Sequence, residues 1–112
     1  MRPQRHPEPS EITLTGVLTA LSDPIRLSIV CSLSDGQEHG VGEFQHFPVV
    51  RSTLSHHAKV LRASGITFTR TVGTHCYLSL RSELEELFPG LIAKVVALAD
   101  PEQIAKSMAV RP

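Results

Sequence analysis

Val41–Leu80 reads VGEFQHFPVVRSTLSHHAKVLRASGITFTRTVGTHCYLSL, and its punctuation decides the fold. Val41 and Phe44 suit the inward face of a short helix over about Val41–Phe47. Pro48 cannot continue that helix, so a turn falls between Phe47 and Arg51. A second helix is expected from about Ser52 to Ser64, with Leu54, Ala58 and Leu61 inward and Gly65 as its stop. Two β-like runs follow, ITFTR at 66–70 and HCYLSL at 75–80, joined across Thr71–Thr74 with Gly73 at the tip. Thr67, Thr69 and Thr71 alternate with Ile66, Phe68 and Val72, the pattern of a half-buried strand; Cys76, Leu78 and Leu80 alternate on the return, with Tyr77 on the other face.

Helix, turn, helix, hairpin is the order of a winged helix-turn-helix, so the fold expected is mostly α with a small β-hairpin wing. The flanks read as supports for that unit. From Glu11 to Leu21, the residues Leu14, Val17, Leu18 and Leu21 form one helical face. Ser22-Asp23-Pro24 resets the chain: Asp23 caps the next helix and Pro24 fits its first position. IRLSIVCSL then turns Ile25, Ile29, Val30 and Leu33 inward and ends near Asp35-Gly36. After the wing, Ser82 and Glu85 are spaced as a capping box. Leu84, Leu87, Phe88, Leu91, Ile92, Val95 and Leu98 continue a helical stripe, broken at Pro89-Gly90 into a kink or two pieces.

So many large apolar groups exceed what one side of a small core needs. The first and last helices are therefore expected to form a symmetric dimer interface, with Leu14, Val17, Leu18, Leu84, Leu87, Leu91 and Val95 in it. Burial within one chain is the competing reading. Residues 1–10 read as a flexible or loosely docked arm in which Arg2, Arg5 and His6 are candidate backbone contacts. Residues 11–99 read as the domain and 100–112 as a flexible tail.

At 112 residues the chain is one small domain. No run approaches the roughly 18 apolar residues of a membrane span, and the N-terminus lacks the apolar segment of a secretory signal. Cys31 and Cys76 are far apart, which is no disulfide framework and fits a reducing cytoplasm. Formal net charge is zero, but its distribution is uneven. From Phe44 to Ser82 there is no Asp or Glu, where average density would place about four. The same stretch holds Arg51, Lys59, Arg62, Arg70 and Arg81 with His46, His56, His57 and His75. Positive potential is thereby concentrated where such a motif meets phosphate; a solvated surface with chance segregation is the bland alternative.

The second motif helix is unusual in its outer strip. Ser52, His56, Lys59 and Ala63 oppose the apolar face, with Thr53 and Ser55 near the leading end. Short hydroxyls, imidazole and Lys donate and accept at base edges and phosphates without acidic repulsion. Arg51, Ser52, Thr53, Ser55, His56 and Lys59 are thus the expected major-groove contacts, and Arg70, Thr74 and His75 the wing contacts. His57 points partly inward and reads as a packed histidine bonded to backbone. Ser55-His56 has no acidic neighbour and no nucleophile-elbow pattern, and no cluster of acid, base and nucleophile assembles elsewhere, so no enzyme is expected.

LTALSDPIRLSIVCSL, VGEFQHF, STLSHHAKVLRASGI and TRTVGTHCYLSL together resemble the ArsR family of bacterial winged helix-turn-helix repressors, over about Leu14 to Val96. The most specific elements are Asp-Pro-x-Arg at Asp23–Arg26 and Ser55, His57, Leu61, Arg62 and Gly65. The resemblance implies a homodimer whose second motif helix enters the major groove of double-stranded DNA at an inverted-repeat operator. Many members sense metals through Cys-x-Cys-like patterns in the first motif helix or Asp and His pairs on the last helix. Val41–Phe44 has no cysteine and Ser82–Leu98 no histidine, so neither pattern is present. His39 and His46 with Glu38 or Glu43 offer only an improvised set. The expectation is a cytoplasmic regulator with no cofactor and no resident metal, answering to an unidentified small-molecule effector or to none. A winged-helix protein-interaction module and a thiol-redox regulator using Cys31 or Cys76 are the rivals.

Overall fold

The computed structural model describes residues 5–109. Helices α1 (Leu14–Leu21) and α2 (Pro24–Leu33) are followed by strand β1 (His39–Gly40) and a 3-10 turn at Val41–Phe44. Then come α3 (Arg51–Ala63), β2 (Thr67–Val72), β3 (His75–Leu80), α4 (Glu83–Leu87), α5 (Leu91–Leu98) and α6 (Pro101–Ala109). The strands make one antiparallel sheet in the order β1-β3-β2. The Asp23 carboxylate accepts from the backbone N–H groups of Ile25 and Arg26 at 2.8 and 3.2 Å, so the expected cap is present. Ile25, Ile29 and Leu33 of α2 meet Leu61 of α3, Ile66 and Leu78 in a core that excludes solvent.

Gly65 is required twice over at the end of α3. Its φ is +87°, and a Cβ there would lie 2.5 Å from carbons of the Ile12 side chain. The chain therefore turns tightly off α3 and enters β2 with Ile66 buried, Ile66 N–H donating to the Leu61 carbonyl.

Several expectations need correction. The first motif helix is only a 3-10 turn, because Gly42 and β-branched Val41 are poor helix formers in so short a piece. The hairpin gains a third strand, β1, whose two residues are too few to carry an alternation pattern. The alternation expected on β2 is present, with the threonines on its inner face: Thr67 and Thr69 are buried whereas Phe68 and Val72 are exposed. Pairing of Thr67 with Leu80, Thr69 with Leu78 and Thr71 with Cys76 puts these residues on one face. Ser82 and Glu85 form no capping box; Glu85 accepts from Gly90 N–H at 3.1 Å, holding the break between α4 and α5.

Of the residues expected at a dimer interface, Val17 and Leu84 are already buried in the chain's own core. Leu14, Leu18 and Leu87 are exposed, Leu91 and Val95 are half-buried, and α5 has no buried residue at all. The described parts of both ends make contacts with the domain. The His6 ring stacks on Phe68 at 4.4 Å and accepts from Thr69 N–H, while the Pro7 carbonyl accepts from Arg81. Residues 101–109 form α6, which lays Met108 and Ile104 against the core. Arg2 and residues 110–112 lie outside the described residues.

Candidate nucleic-acid interface

The inner face of α3 carries Leu54, His57, Ala58 and Leu61, all buried. Its outer face exposes Arg51, Ser52, Ser55, His56 and Lys59, while Thr53 is half-buried on the flank. Six of the expected contacts thus lie on one short helix, five of them fully presented. No side chain caps the helix start at Val50, so the positive end of its dipole adds to the charge of Arg51.

Acid-free in sequence is not acid-free in space. Arg70 of the wing makes a two-point pair with Glu38, at 2.8 and 2.9 Å, and lies 5.0 Å over the Tyr77 ring. The guanidinium holds the Glu38 carboxyl below its ordinary pKa. Arg81 is nearly buried between Glu83 and the Pro7 carbonyl, at 3.0 and 2.7 Å. Arg51, Lys59 and Arg62 by contrast have no carboxylate partner among the described residues. Thr74 and His75 are exposed at the wing tip, as expected, beside Gly73 with φ +60°. Arg62, counted in the positive stretch but not among the expected contacts, is half-exposed on the same helix. Its spacing of eleven from Arg51 and three from Lys59 is the signal that places all three along one side.

The position of α3 is set by a polar junction with the first two helices. Arg26 donates to Nδ1 of buried His57 at 3.1 Å and to the Ala20 carbonyl at 2.7 Å. A guanidinium has only donors, so Nδ1 of His57 is the acceptor and the proton sits on Nε2 of a neutral ring. Nε2 lies 4.0 Å from the Asp23 carboxylate that caps α2. His57 is thus packed inside the junction, with Arg26 as a side-chain partner.

His39 is enclosed by two carboxylates, with Glu43 at 3.1 Å from Nδ1 and Asp35 at 2.9 Å from Nε2. Glu43 first and Asp35 second raise its pKa above the ordinary imidazole value. The improvised metal set is dispersed: Glu38 is taken by Arg70, and His46 Nδ1 contacts the Glu43 carbonyl at 2.9 Å. Among the described residues no three His, Cys, Asp or Glu side chains converge as metal ligands. Cys31 is half-buried beside an apolar cavity of about 630 Å³ between α2 and α6, and burial pushes its thiol pKa up, away from the reactive thiolate. Cys76 lies in the wing with the Thr71 hydroxyl 3.9 Å from its sulfur.

A buried-faced helix offering unpaired cations and hydroxyls beside a β-wing defines a winged helix-turn-helix DNA-binding protein. No family model matches the chain. Its sequence is 37% identical over 79 residues to YceK, an uncharacterised HTH-type transcriptional regulator of Bacillus subtilis, covering 68% of this chain and 79% of that one. It is 45% identical over 58 residues to the biofilm growth-associated repressor of Xylella fastidiosa, 51% of this chain and 50% of the relative. It is 40% identical over 65 residues to the arsenical resistance operon repressor of Staphylococcus xylosus, 57% and 62% of the two chains. HlyU from Vibrio cholerae superposes with a TM-score of 0.63 at 29% identity, covering 75% of this chain and 88% of that one. HlyU from Vibrio vulnificus gives 0.60 at 32%, covering 77% and 86%. The chain belongs to the ArsR family of winged-helix transcriptional regulators. It is a DNA-binding regulator and not an enzyme.

Proposed function

We propose that the chain acts in the cytoplasm as a homodimeric repressor that reads an inverted-repeat operator. The observation that carries this is the outer face of α3, where Arg51 and Lys59 stand unpaired among Ser52, Ser55 and His56. On this reading α3 enters the major groove, and Thr74 and His75 approach the flanking backbone from the wing. Two-fold symmetry then sets half-sites about one helical turn, or a multiple, apart. Support for the dimer comes from Leu14, Leu18 and Leu98, exposed on α1 and α5, since large apolar groups grouped on helix faces favour a partner's cover. No single helix among the described residues is long and apolar enough to cross a membrane.

Selection of bound genomic fragments supplies the operator, and His56→Ala is the variant that tests the assignment. It should alter preference among operator variants by about 1–3 kcal/mol at one base position while sparing general affinity. An unchanged preference would remove α3 from the major groove. Light scattering of the wild type against Leu18→Glu tests the dimer: a monomeric wild type sinks it.

A further inference from the structure

Between α3 and the inner face of the wing runs a cleft of about 860 Å³, within the 300–1,000 Å³ usual for small-molecule sites. One wall is the cationic side of α3, with Arg51, Lys59 and Arg62. The lining between the walls includes apolar Leu54, Ala58 and Leu78, all nearly solvent-free in themselves. The opposite wall includes Thr69, 6% exposed, whose buried hydroxyl has no hydrogen-bond partner among the described residues. A buried hydroxyl left unmatched in a folded chain costs free energy, which a ligand oxygen would offset once the Thr69 side chain rotates toward the cleft. Glu43 also borders the cleft, but its carboxylate is engaged by Gly40 N–H and His39.

We propose that this cleft binds a small aromatic carboxylate, and that the bound acid competes directly with DNA. Three unpaired cations call for an anion. The apolar lining calls for a body that a bare phosphate does not bring, and the Tyr77 ring among the lining residues suits an aromatic one. A DNA phosphodiester satisfies the cations but leaves Leu54, Leu78 and the Thr69 hydroxyl unmatched. Since Arg51, Ser55 and Lys59 belong both to this wall and to the proposed major-groove face, an occupied cleft withdraws them from DNA. The competition rests on the assignment of α3 as the reading helix; the binding site itself does not.

The test uses 1-naphthoate and its uncharged counterpart 1-naphthamide with the full-length protein, followed by amide NMR. Naphthoate at about millimolar concentration should shift the amides of Ala58, Thr69 and Leu78, and naphthamide should bind about tenfold more weakly. Thr69→Val, which keeps the side-chain size, should weaken naphthoate severalfold without changing DNA affinity. Arg62→Gln gives a second measure should the first variant fold poorly. No shift, shifts scattered over other surfaces, or equal binding of the two probes overturns the site. In the second arm naphthoate should displace a labelled operator, and retention of DNA by naphthoate-loaded protein overturns the competition. DNA titrated alone keeps the two readings apart: if it leaves the α3 amides unmoved, the reading helix is misassigned whatever naphthoate does.

Discussion

The two parts of the proposed DNA-binding face, α3 and the wing, treat their cations differently. On α3, Arg51 and Lys59 project without carboxylate partners; on the wing, Arg70 is gripped at two points by Glu38 and laid over Tyr77. A guanidinium already paired must give up that pair before it can neutralise a phosphate, so little net charge is gained there. Attraction to DNA should come from the helix, with the wing contributing mainly through Thr74 and His75. A positive stretch in a sequence is thus divided in space into an available half and a satisfied half.

The largest expected effect tests the available half. Replacing Arg51 and Lys59 together by alanine should weaken binding to every DNA sequence by about 100-fold and lower the salt slope by about two. Gel-shift titration across salt concentrations reads both quantities. A loss confined to the selected operator, with the salt slope intact, would show that these residues read bases instead of phosphates.

A smaller effect of opposite sign tests the satisfied half. Glu38→Gln removes the charge that holds Arg70 while keeping the side chain's size. DNA binding should then tighten by about two- to fivefold, with a salt slope steeper by about one. Arg70→Ala in the wild-type background should cost little affinity. Were it as damaging as Lys59→Ala, the division between helix and wing would be false and the pair with Glu38 would open on the DNA.

How much of this was legible beforehand follows from the range of each interaction. The α2 cap at Asp23, the α3 stop at Gly65 and the hairpin tip at Gly73 depend on a few neighbouring residues, and local sequence places them. So does the outer face of α3, whose composition departs from an ordinary solvated helix. The pairing of Glu38 with Arg70 spans 32 positions, and the bond from Arg81 to the Pro7 carbonyl spans 74; no periodicity announces either. The alternation on β2 marked a half-buried strand without showing which face points inward. Hydropathy alone would put the apolar residues in the core, but here register with Cys76, Leu78 and Leu80 decides the face, and exposed Phe68 carries the stacked His6 ring of the N-terminal segment. The resemblance located Asp23, Arg26 and His57 as a signature; only the structure explains it, as the junction that sets α3 against α1 and α2.

The smallest effect concerns what keeps Glu38 in place. Its neighbour His39 anchors β1 beside β3, pairing with Leu78, and is held by Glu43 and Asp35. Both carboxylates favour the imidazolium, so the folded pKa of His39 lies above its ordinary value of 6.5. A pKa raised on folding stabilises the protein fully below the unfolded value, and that contribution disappears as pH climbs through the folded one. Asp35 works in the opposite sense. Its carboxyl is lowered, first by the Gln37 backbone N–H and then by His39, so its contribution is present above 3.8 and fades as pH falls. The β1 edge should accordingly be most secure in the mildly acidic range between those windows. Thermal unfolding of the wild type and His39→Gln, followed from pH 4 to 9, should differ most below about 6.5, by no more than about 4 °C, and converge at higher pH. Melting curves that stay parallel across that range would mean that His39 holds β1 by packing alone, and that its charge has no part in keeping Glu38 against Arg70.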